Sequence, residues 1–510
     1  MTSLSNTKNR TLYKNARILD PATGLDIIGD VLVEGMLISD FGANLQQTLS
    51  SQPEKISDIS ASELRRNGVG SSPMTERGGK KLMLFDPQAN EALVSASPEG
   101  AAESLGKLEN VAQPNSRDLM GWDIVDCTGL CLAPALVDMR AYLSGDNERH
   151  KETLETACAS AVAGGIGTVV ASSDSNPIID NTAVLDTFLR RGREIDTVSL
   201  LSYAAITKNI EGEQLTDMGT LYSGGCMGFM DGQRAIQNPR VLLNALKYAK
   251  FFNGLVLHHP EDALLAGSGV MNQGLTATKL GLGGKPTIAE SIMVERDIAL
   301  AEASGARLHL CNLSTEKSFD AVRRAKQRGV SVTCDTAPHY FALTEEAVLG
   351  YRTFAKVHPP LRSETDRLAV IAALEDGTID AIVSAHCPQD QDSKRVPFAQ
   401  AANGAVGFET LFAVTLGLVH QQKLSLLEAL KLLTSNPADI LRLKVGRIAR
   451  RHTADFILFD PDYTWTLDPT HLKSKSKNTL FGERLFKGGV LATIKAGKKV
   501  YSLEGGSSDD

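Results

Sequence analysis

The sequence has no long apolar run, few aromatic residues and no cluster of basic residues. Its longest apolar stretches, such as Ala161–Ser172, are far shorter than the roughly 20 residues that cross a bilayer. The polar start, Met1–Arg10, predicts no secretory signal peptide. Because Lys and Arg are scattered and the net charge is -7, nucleic acid is an unfavourable partner. The seven cysteines are odd in number and unpaired in spacing, which favours reduced thiols in the cytoplasm.

What the chain does contain is enough apolar sequence for a large core, since 42% of its 510 residues are hydrophobic. Short β-type runs separated by turn residues occupy Leu12–Ala43 and resume at Trp122–Cys127. The tail, Val445–Tyr501, returns to the same pattern. We therefore predict one small β domain built from residues 11–45, 120–133 and 445–502.

A stretch rich in Ser, Gly, Glu, Gln and Asn separates the first two of these β segments and covers residues 46–118. It shows no sustained apolar period of about 2 or 3.6 residues. A loop of this length rarely packs without helices or strands of its own. We therefore predict a mostly disordered insertion.

Past the second β segment, short apolar strands alternate with longer helical patterns. Strand-like examples are Gly167–Ala171 and Arg307–Leu310, and helical examples are Thr287–Ala303 and Thr315–Arg328. Continuous apolar strands joined by crossover helices indicate a parallel sheet that is covered on both faces. About eight such units predict a (β/α)8 barrel over residues 134–444, with any chemistry at the carboxyl ends of the strands.

Ordered motifs along the barrel and the tail resemble the dihydroorotase branch of the amidohydrolase superfamily. The resemblance covers nearly all of the chain except the insertion. Each motif is weak alone, but their common order makes coincidence implausible. The motifs are Leu136–Met139, Lys151–Thr153, Ala163–Gly165, His259–Asp262, Met271–Gly274, Glu295–Asp297, Gly305–His309, Leu313–Thr315, Ala337–Tyr340, Lys356–Arg362, Gly404–Thr410, Ser435–Ala438, Ala454–Phe456 and Lys473–Thr479.

The resemblance implies an active site that this chain retains only in part. The family holds metal with a His-x-His pair after the first barrel strand, a bridging acid and two later His, and it moves a proton with an Asp after the last strand. Four of these positions are occupied by Arg140, Tyr142, Asn312 and Ala385. A permanent guanidinium repels a metal dication, an amide ligates zinc poorly, and an alanine transfers no proton. We therefore predict that these degenerate positions supply no catalytic residue.

Two vestigial metal ligands survive, and three substrate positions are altered. His259 matches a family His ligand and Asp231 matches the bridging acid, but zinc normally takes about three or four protein ligands. The family's substrate-binding Arg falls at Ser144, and two of its Asn fall at Asp174 and His358. These changes remove donors for an acidic ligand and add a negative charge, so we predict neither a substrate site nor a metal site there.

The histidines offer no second metal site of a familiar type. The ten of them include no i, i+2 pair and no His-Glu-x-x-His motif. Only His258 and His259 are adjacent, and adjacent side chains on a strand point to opposite faces. His386 follows the missing acid, and we interpret it as a hydrogen-bonded loop residue. The sequence also contains no Gly-rich phosphate loop and no Gly-x-Ser-x-Gly nucleophile motif.

These losses favour a non-enzymatic function. The leading hypothesis is a structural or assembly subunit that takes no cofactor and binds the catalytic chain of aspartate transcarbamoylase, as inactive family members do in pyrimidine biosynthesis. It predicts a hetero-oligomer and leaves a homodimer open. One alternative is an active dihydroorotase or other cyclic amidohydrolase with a reduced zinc site at Asp231 and His259. A second alternative is a small-molecule-binding protein that uses the old pocket.

Overall fold

Strands from both ends of the chain form one sheet, and the strands between them form a barrel. The computed structural model describes residues 10–43, 45, 116–117 and 122–503. The predicted insertion, residues 46–118, lies outside the described residues except for Ser116–Arg117. The strands are β1 (Arg10–Asp20), β2 (Leu25–Glu34), β3 (Leu37–Gly42), β4 (Ser116–Arg117), β5 (Asp123–Asp126), β6 (Cys131–Pro134), β7 (Leu136–Ala141), β8 (Ile166–Ala171), β9 (Ser199–Ser202), β10 (Leu255–His258), β11 (Met271–Asn272), β12 (Gly284–Lys285), β13 (Arg307–Leu310), β14 (Val332–Thr336), β15 (Ala381–Ile382), β16 (Phe456–Thr466), β17 (Leu485–Lys495) and β18 (Lys498–Ser502).

The terminal sheet runs in the order β18-β17-β16-β6-β1-β2-β3, with β5 also paired to β1 and β4 to β5. Strand β6 is the junction, because it pairs in parallel with N-terminal β1 and antiparallel with C-terminal β16. The two ends of the chain therefore form one small β domain, as the sequence predicts.

The barrel is a ring of eight parallel segments. Strands β7, β8 and β9 pair side by side, as do β10, β13, β14 and β15. The fourth segment is reduced to Phe229, which bridges Ala204 on one side and Val256 on the other. The ring closes where the backbone NH of Tyr142 donates to the carbonyl of His386 at 2.8 Å. The predicted (β/α)8 barrel is confirmed.

Helices connect and cover the barrel strands. Several of them start at a polar side chain that accepts from a free backbone NH group. Thr153 and Thr156 form a reciprocal capping box at the first helix, and Ser425 and Glu428 form another. The helices are α1 (Leu154–Ala163), α2 (Thr182–Ile195), α3 (Met218–Ser223), α4 (Pro239–Phe251), α5 (Ala263–Ala266), α6 (Leu275–Leu280), α7 (Ile288–Ser304), α8 (Glu316–Gln327), α9 (Pro338–Ala342), α10 (Glu364–Glu375), α11 (Gln391–Lys394), α12 (Phe408–His420), α13 (Leu426–Leu433) and α14 (Ser435–Leu441). Within the described ranges, no helix has the length and apolarity that a membrane span requires.

The barrel and the β domain share a tightly packed contact. Every residue of β8 is buried, which explains its continuous apolar sequence. Gly165, just before β8, has φ +82, and a Cβ there would lie 2.9 Å from Val490 and 3.2 Å from Ile457 of the terminal sheet. Glycine is therefore required at this contact both for its backbone conformation and for lack of space. The contact fixes the amino ends of the strands and leaves their carboxyl ends free for a site.

Candidate active site

One cavity lies at the carboxyl ends of the barrel strands, and most of the positions singled out from the sequence line it. The space between the walls of this mouth cavity, part of it open solvent, is about 410 Å³, and about 20 Å³ of this admits the centre of a water molecule. The sequence-predicted positions in its wall are Arg140, Tyr142, Asp174, Asn312, His358 and Ala385. They lie at or beyond the carboxyl ends of several strands, so closure of the barrel brings together residues that are far apart in the sequence.

Arg140 is a buried cation at this mouth, with only 4% of its surface exposed. Its Nε lies 3.8 Å from Oδ2 of Asp335, and neither Nε nor Nη2 has a hydrogen-bond partner in the described part of the chain. Burial alone would lower the pKa of Arg140, but nearby acidic groups, Asp335 foremost, raise it overall. The guanidinium therefore stays charged and keeps two donor positions for a ligand.

Neutral acceptors surround this cation. Both ring nitrogens of His259, Nε2 of His339 and Oδ1 of Asn312 are buried without a partner among the described residues. Burial, followed by repulsion from nearby cationic groups, holds the pKa of His259 well below its usual value. Burial and then Arg140 lower the pKa of His339 to about 3, and burial and then Lys285 do the same for His358. The mouth thus presents uncharged imidazoles, whose unprotonated nitrogen can accept a hydrogen bond.

The other sequence-predicted positions in the wall differ in polarity and in their hydrogen bonds. Asp174 accepts from the hydroxyl of Ser172 at 2.5 Å and from the backbone NH of Gln233 at 3.2 Å. The hydroxyl of Tyr142 is bound to the carboxylate of Glu148, and burial followed by that bond raises its pKa. Ala385, at φ 48, brings no polar side chain. Asp174 is therefore the carboxylate that these positions supply, and it already accepts two hydrogen bonds.

Asp231 and Ser144 lie outside the mouth cavity. The carboxylate of Asp231 accepts from the backbone NH of Ile206 at 2.8 Å, from that of Thr207 at 2.9 Å and from the Thr207 hydroxyl at 2.5 Å. Asp231 thus holds the turn after β9, although burial raises its pKa. Ser144 lines a neighbouring pocket instead.

Two other histidines are fixed by protein partners. His258 bonds Asp297 at 2.6 Å and accepts from the backbone NH of Ile236 at 2.8 Å. His386 lies 2.6 Å from a carboxylate oxygen of Glu152 and stacks on a phenylalanine ring at 3.9 Å. His386 also accepts from the backbone NH of Gly407 at 3.2 Å, so both ring nitrogens of each histidine have protein partners, although His386 lines the mouth cavity.

One cluster escaped the sequence analysis. His309, Cys311 and Asp335 are all buried, and their candidate ligand atoms lie within 4.8 Å of one another. His309 and Cys311 are two residues apart at the end of β13, and Asp335 lies on neighbouring β14. Residues at i and i+2 of a strand share a face. A search for mixed His-x-Cys pairs, and not only His-x-His, would have found the first two members.

The donor chemistry of this cluster fits zinc. Imidazole nitrogen, thiolate sulfur and carboxylate oxygen are its usual ligands, and catalytic zinc sites use about three protein ligands. In the structure the same atoms bond within the protein: His309 lies 3.0 Å from Asp335 Oδ2 and 2.7 Å from the hydroxyl of Thr333. Burial raises the pKa of the Cys311 thiol, so a metal would have to displace its proton.

Family models match two long parts of the chain. Residues 129–318 match "Dihydro-orotase-like", and residues 404–501 match "Amidohydrolase family". Among solved structures, L-hydantoinase (dihydropyrimidinase) from Arthrobacter aurescens aligns with a TM-score of 0.73 at 18% identity, over 97% of this chain and 96% of that one. At this identity the alignment supports the shared fold alone.

Curated relatives are closer in sequence. A protein of Anaplasma phagocytophilum named "Dihydroorotase" is 38% identical over 96% of this chain and 95% of its own length. Proteins of the same name from a Wolbachia of Brugia malayi and from Geobacter metallireducens are 35% and 39% identical over 97% and 83% of this chain.

The relatives and the buried cluster correct three predictions. The predicted non-catalytic subunit and the predicted absence of enzyme activity are wrong, because relatives aligned over most of the chain are named as an enzyme. The predicted absence of a cofactor is contradicted by the His309–Cys311–Asp335 cluster. Four altered positions do not outweigh the similarity of the whole chain to these relatives. Association with aspartate transcarbamoylase is a separate matter and stays a prediction.

Proposed function

Because this chain belongs to the dihydroorotase family, we propose that it catalyses the reversible hydrolysis of a cyclic amide, dihydroorotate, as its relatives' name says of them. This reaction would give it a role in pyrimidine biosynthesis. The observation that carries the proposal is the group of buried polar atoms without partners at the mouth, on Arg140, His259, Asn312 and His339. Leaving such groups unpaired costs free energy, so their retention favours a ligand that pairs with them.

The chemistry of these atoms matches that of a cyclic amide with a carboxylate. The guanidinium of Arg140 donates to a carboxylate or to the amide oxygen, with charge-assisted hydrogen bonds. The neutral His259 and His339, together with Oδ1 of Asn312, accept from ring NH groups. Asp174, in the same wall, repels an anion and so favours a pose that keeps the substrate carboxylate beside Arg140.

Ring opening adds a water oxygen to the amide carbon and breaks the carbon–nitrogen bond. One proton leaves the water and one reaches the departing nitrogen. Since Ala385 supplies no carboxylate and Asp174 already accepts two hydrogen bonds, we assign the transfer of this proton to an imidazole at the mouth. His339 is neutral before binding, and a bound anion would raise its pKa from about 3 toward the working range.

A metal would be held by His309, Cys311 and Asp335, and it would supply a Lewis acid for the amide carbonyl. Arg140 limits this site, because its cation lies beside Asp335 and opposes a dication. At about 4 Å a unit-charge pair interacts by roughly 4 kcal/mol at an effective dielectric of 20. Metal binding therefore requires Arg140 to turn away or to be offset by substrate.

The test is a turnover assay of the full chain in both directions, with dihydroorotate and with carbamoyl aspartate. It is run after chelator treatment and after addition of zinc. We expect turnover that Arg140→Met and His339→Gln each lower by at least tenfold. Cys311→Ser should lower the zinc content, whereas Cys226→Ser, another buried cysteine outside the cluster, should leave it unchanged.

Absence of turnover in every metal condition would refute the proposal. Tight binding of dihydroorotate without turnover would instead support the small-molecule-binding alternative. Turnover that does not depend on Arg140 would show that the reaction takes place elsewhere. Zinc binding that survives Cys311→Ser would exclude the cluster as the metal site.

A further inference from the structure

An ion pair lies against one of the imidazoles of the mouth wall. Lys285, in β12, donates to both carboxylate oxygens of Glu261, at 2.9 Å and 3.0 Å, and both side chains are largely buried. The same ammonium lies 3.3 Å from Nδ1 of His358, which lines the mouth cavity. Lys285 itself does not line the cavity, so it acts on the mouth through His358.

The backbone holds both members of this ion pair. Strand β12 pairs in parallel with β11, and the carbonyl of Lys285 accepts from the backbone NH of Gln273 at 2.9 Å. Glu261 directly precedes the start of α5, which is capped by the side chain of Asp262. The ammonium therefore has a fixed position relative to the imidazole of His358.

The contact determines which nitrogen of His358 carries a hydrogen. An ammonium only donates, so Nδ1 accepts, and the single hydrogen of the neutral ring lies on Nε2. Burial, followed by Lys285, holds the pKa of His358 at about 3, in keeping with a neutral ring. Glu261 acts in the same direction, because its Oε1 lies 3.7 Å from Nε2 and attracts a hydrogen to that side. A cation at one edge of the ring and an anion at the other thus favour the same tautomer.

The Nε2–H group of His358 is left for a ligand. The 3.7 Å to Glu261 exceeds the length of a hydrogen bond, and both oxygens of that carboxylate already accept from Lys285. The side chain of His358 is 10% exposed, and its ring packs against that of His259 with 4.7 Å between the centroids. His358 therefore adds a neutral hydrogen-bond donor to the mouth.

We propose that Lys285 and Glu261 are positioning residues that fix this tautomer of His358, so that its Nε2–H group donates to an oxygen of the substrate. The inference rests on the function proposed above, because it needs a substrate in the mouth. It makes His358 a determinant of specificity, since a ligand that presents an NH group to Nε2 is rejected when two donors face each other. The amide and carboxylate oxygens of dihydroorotate meet the requirement for an acceptor.

NMR of the full chain, labelled with 15N in its histidine rings, reads the tautomer directly, because a bare ring nitrogen and one that carries a hydrogen resonate far apart. His358→Gln identifies the signals of His358 by their loss. We expect the hydrogen on Nε2 in the wild-type protein. In Lys285→Met the two signals should move toward each other, because Nδ1 can then carry a hydrogen. Lys285→Arg should keep the wild-type signals, since a guanidinium also only donates.

Steady-state kinetics with dihydroorotate measure the effect on the substrate. Lys285→Met should raise KM about threefold to tenfold, which is the worth of one hydrogen bond, and should change kcat less than about twofold, because ground state and transition state share the contact. Lys285→Arg should return KM to within about twofold of the wild-type value. The matched control is Lys279→Met, at an exposed lysine of α6, which should leave both constants unchanged.

The inference is overturned if wild-type His358 carries its hydrogen on Nδ1, or if Lys285→Met changes neither the signals nor KM. Equal increases of KM in Lys285→Met and Lys285→Arg would also overturn it, because the loss would then follow from the shape of lysine and not from its donor. A chain without turnover refutes the proposed function alone. An NMR titration with dihydroorotate then decides this inference, which is supported by a shift of the Nε2 signal that Lys285→Met weakens and overturned by its absence.

Discussion

Replacement of Arg140 by Met tests the active site most directly. Methionine keeps a long apolar side chain at the mouth and removes the charge and all five donors of the guanidinium. Arg140 is buried with Nε 3.8 Å from Asp335, and its Nε and Nη2 have no partner among the residues that the structure describes. The unpaired donors of this buried side chain destabilise the free protein, and a ligand that pairs with them removes this cost.

Two opposing contributions determine the effect of this change on stability. Breaking a buried ion pair costs about 3–5 kcal/mol, but Asp335 keeps the backbone NH of Asn312 at 2.6 Å and the imidazole of His309 at 3.0 Å. Each unpaired buried donor costs about 1–3 kcal/mol, so removing two of them restores about 2–6 kcal/mol. We expect these contributions to cancel, with a free energy of unfolding within about 2 kcal/mol of the wild-type value.

The effect on activity should not cancel. Each lost charge-assisted hydrogen bond to substrate is worth about 1.5–3 kcal/mol, which corresponds to a fall in kcat/KM of roughly 10-fold to 150-fold per bond. Urea unfolding and steady-state kinetics measure the two effects separately. Arg367→Met is the matched control, because Arg367 is buried but bonds Glu364 and the carbonyl of Phe341. That control should lose stability and keep kcat/KM.

The reasoning is refuted if Arg140→Met loses more than about 3 kcal/mol of stability and keeps its kcat/KM. Arg140 would then be a structural cation that neutralises Asp335.

Three further predictions concern stability. Glu290 accepts five hydrogen bonds, from the backbone NH and hydroxyl groups of Ser314 and Thr315 and from Arg362, so Glu290→Gln should lower the free energy of urea unfolding by about 3–5 kcal/mol. Burial raises the pKa of Asp138 from 3.8 to about 6, so its contribution to stability is full below about pH 4 and falls by about 3 kcal/mol as the pH rises to 6. Asp138→Asn should remove this fall. The prediction is contradicted if the wild-type protein and the variant show the same change in unfolding free energy between about pH 4 and pH 7. Burial lowers the pKa of His339 from 6.5 to about 3, so its contribution is present above about pH 6.5 and is lost as the pH falls toward 3; His339→Phe should flatten this part of the profile.

The sequence predicts the elements well because most of them have strong apolar periodicity. The predicted helix Thr287–Ala303 is observed as Ile288–Ser304, and the predicted Thr315–Arg328 as Glu316–Gln327. The fourth barrel segment is harder, because Phe229 pairs through single bridges and offers no run of residues with a pattern. Local periodicity carries no information about such a short segment.

Only part of the candidate site can be predicted from the sequence. The position of Arg140 at the end of the first barrel strand follows from motif order, but its separation from Asp335 depends on how the strands pack. The same holds for the cluster that Asp335 shares with His309 and Cys311, since the register of β13 and β14 brings it together. Asp231 is the opposite case. A carboxylate at this position could bind a metal, but in the structure it accepts hydrogen bonds from backbone NH groups.

The junction strand β6 has a consequence for synthesis of the chain. Its C-terminal neighbour β16 begins about 320 residues later, so at roughly 5–20 residues per second the ribosome makes it about 16–64 s after β6. During that interval the nascent N-terminal strands present an open edge, which is a template for pairing with other chains. The barrel, whose strands all lie between the two, is complete before this edge is covered. Slow translation of the last hundred or so residues should therefore favour aggregation, and a chaperone that covers the open edge should favour soluble protein.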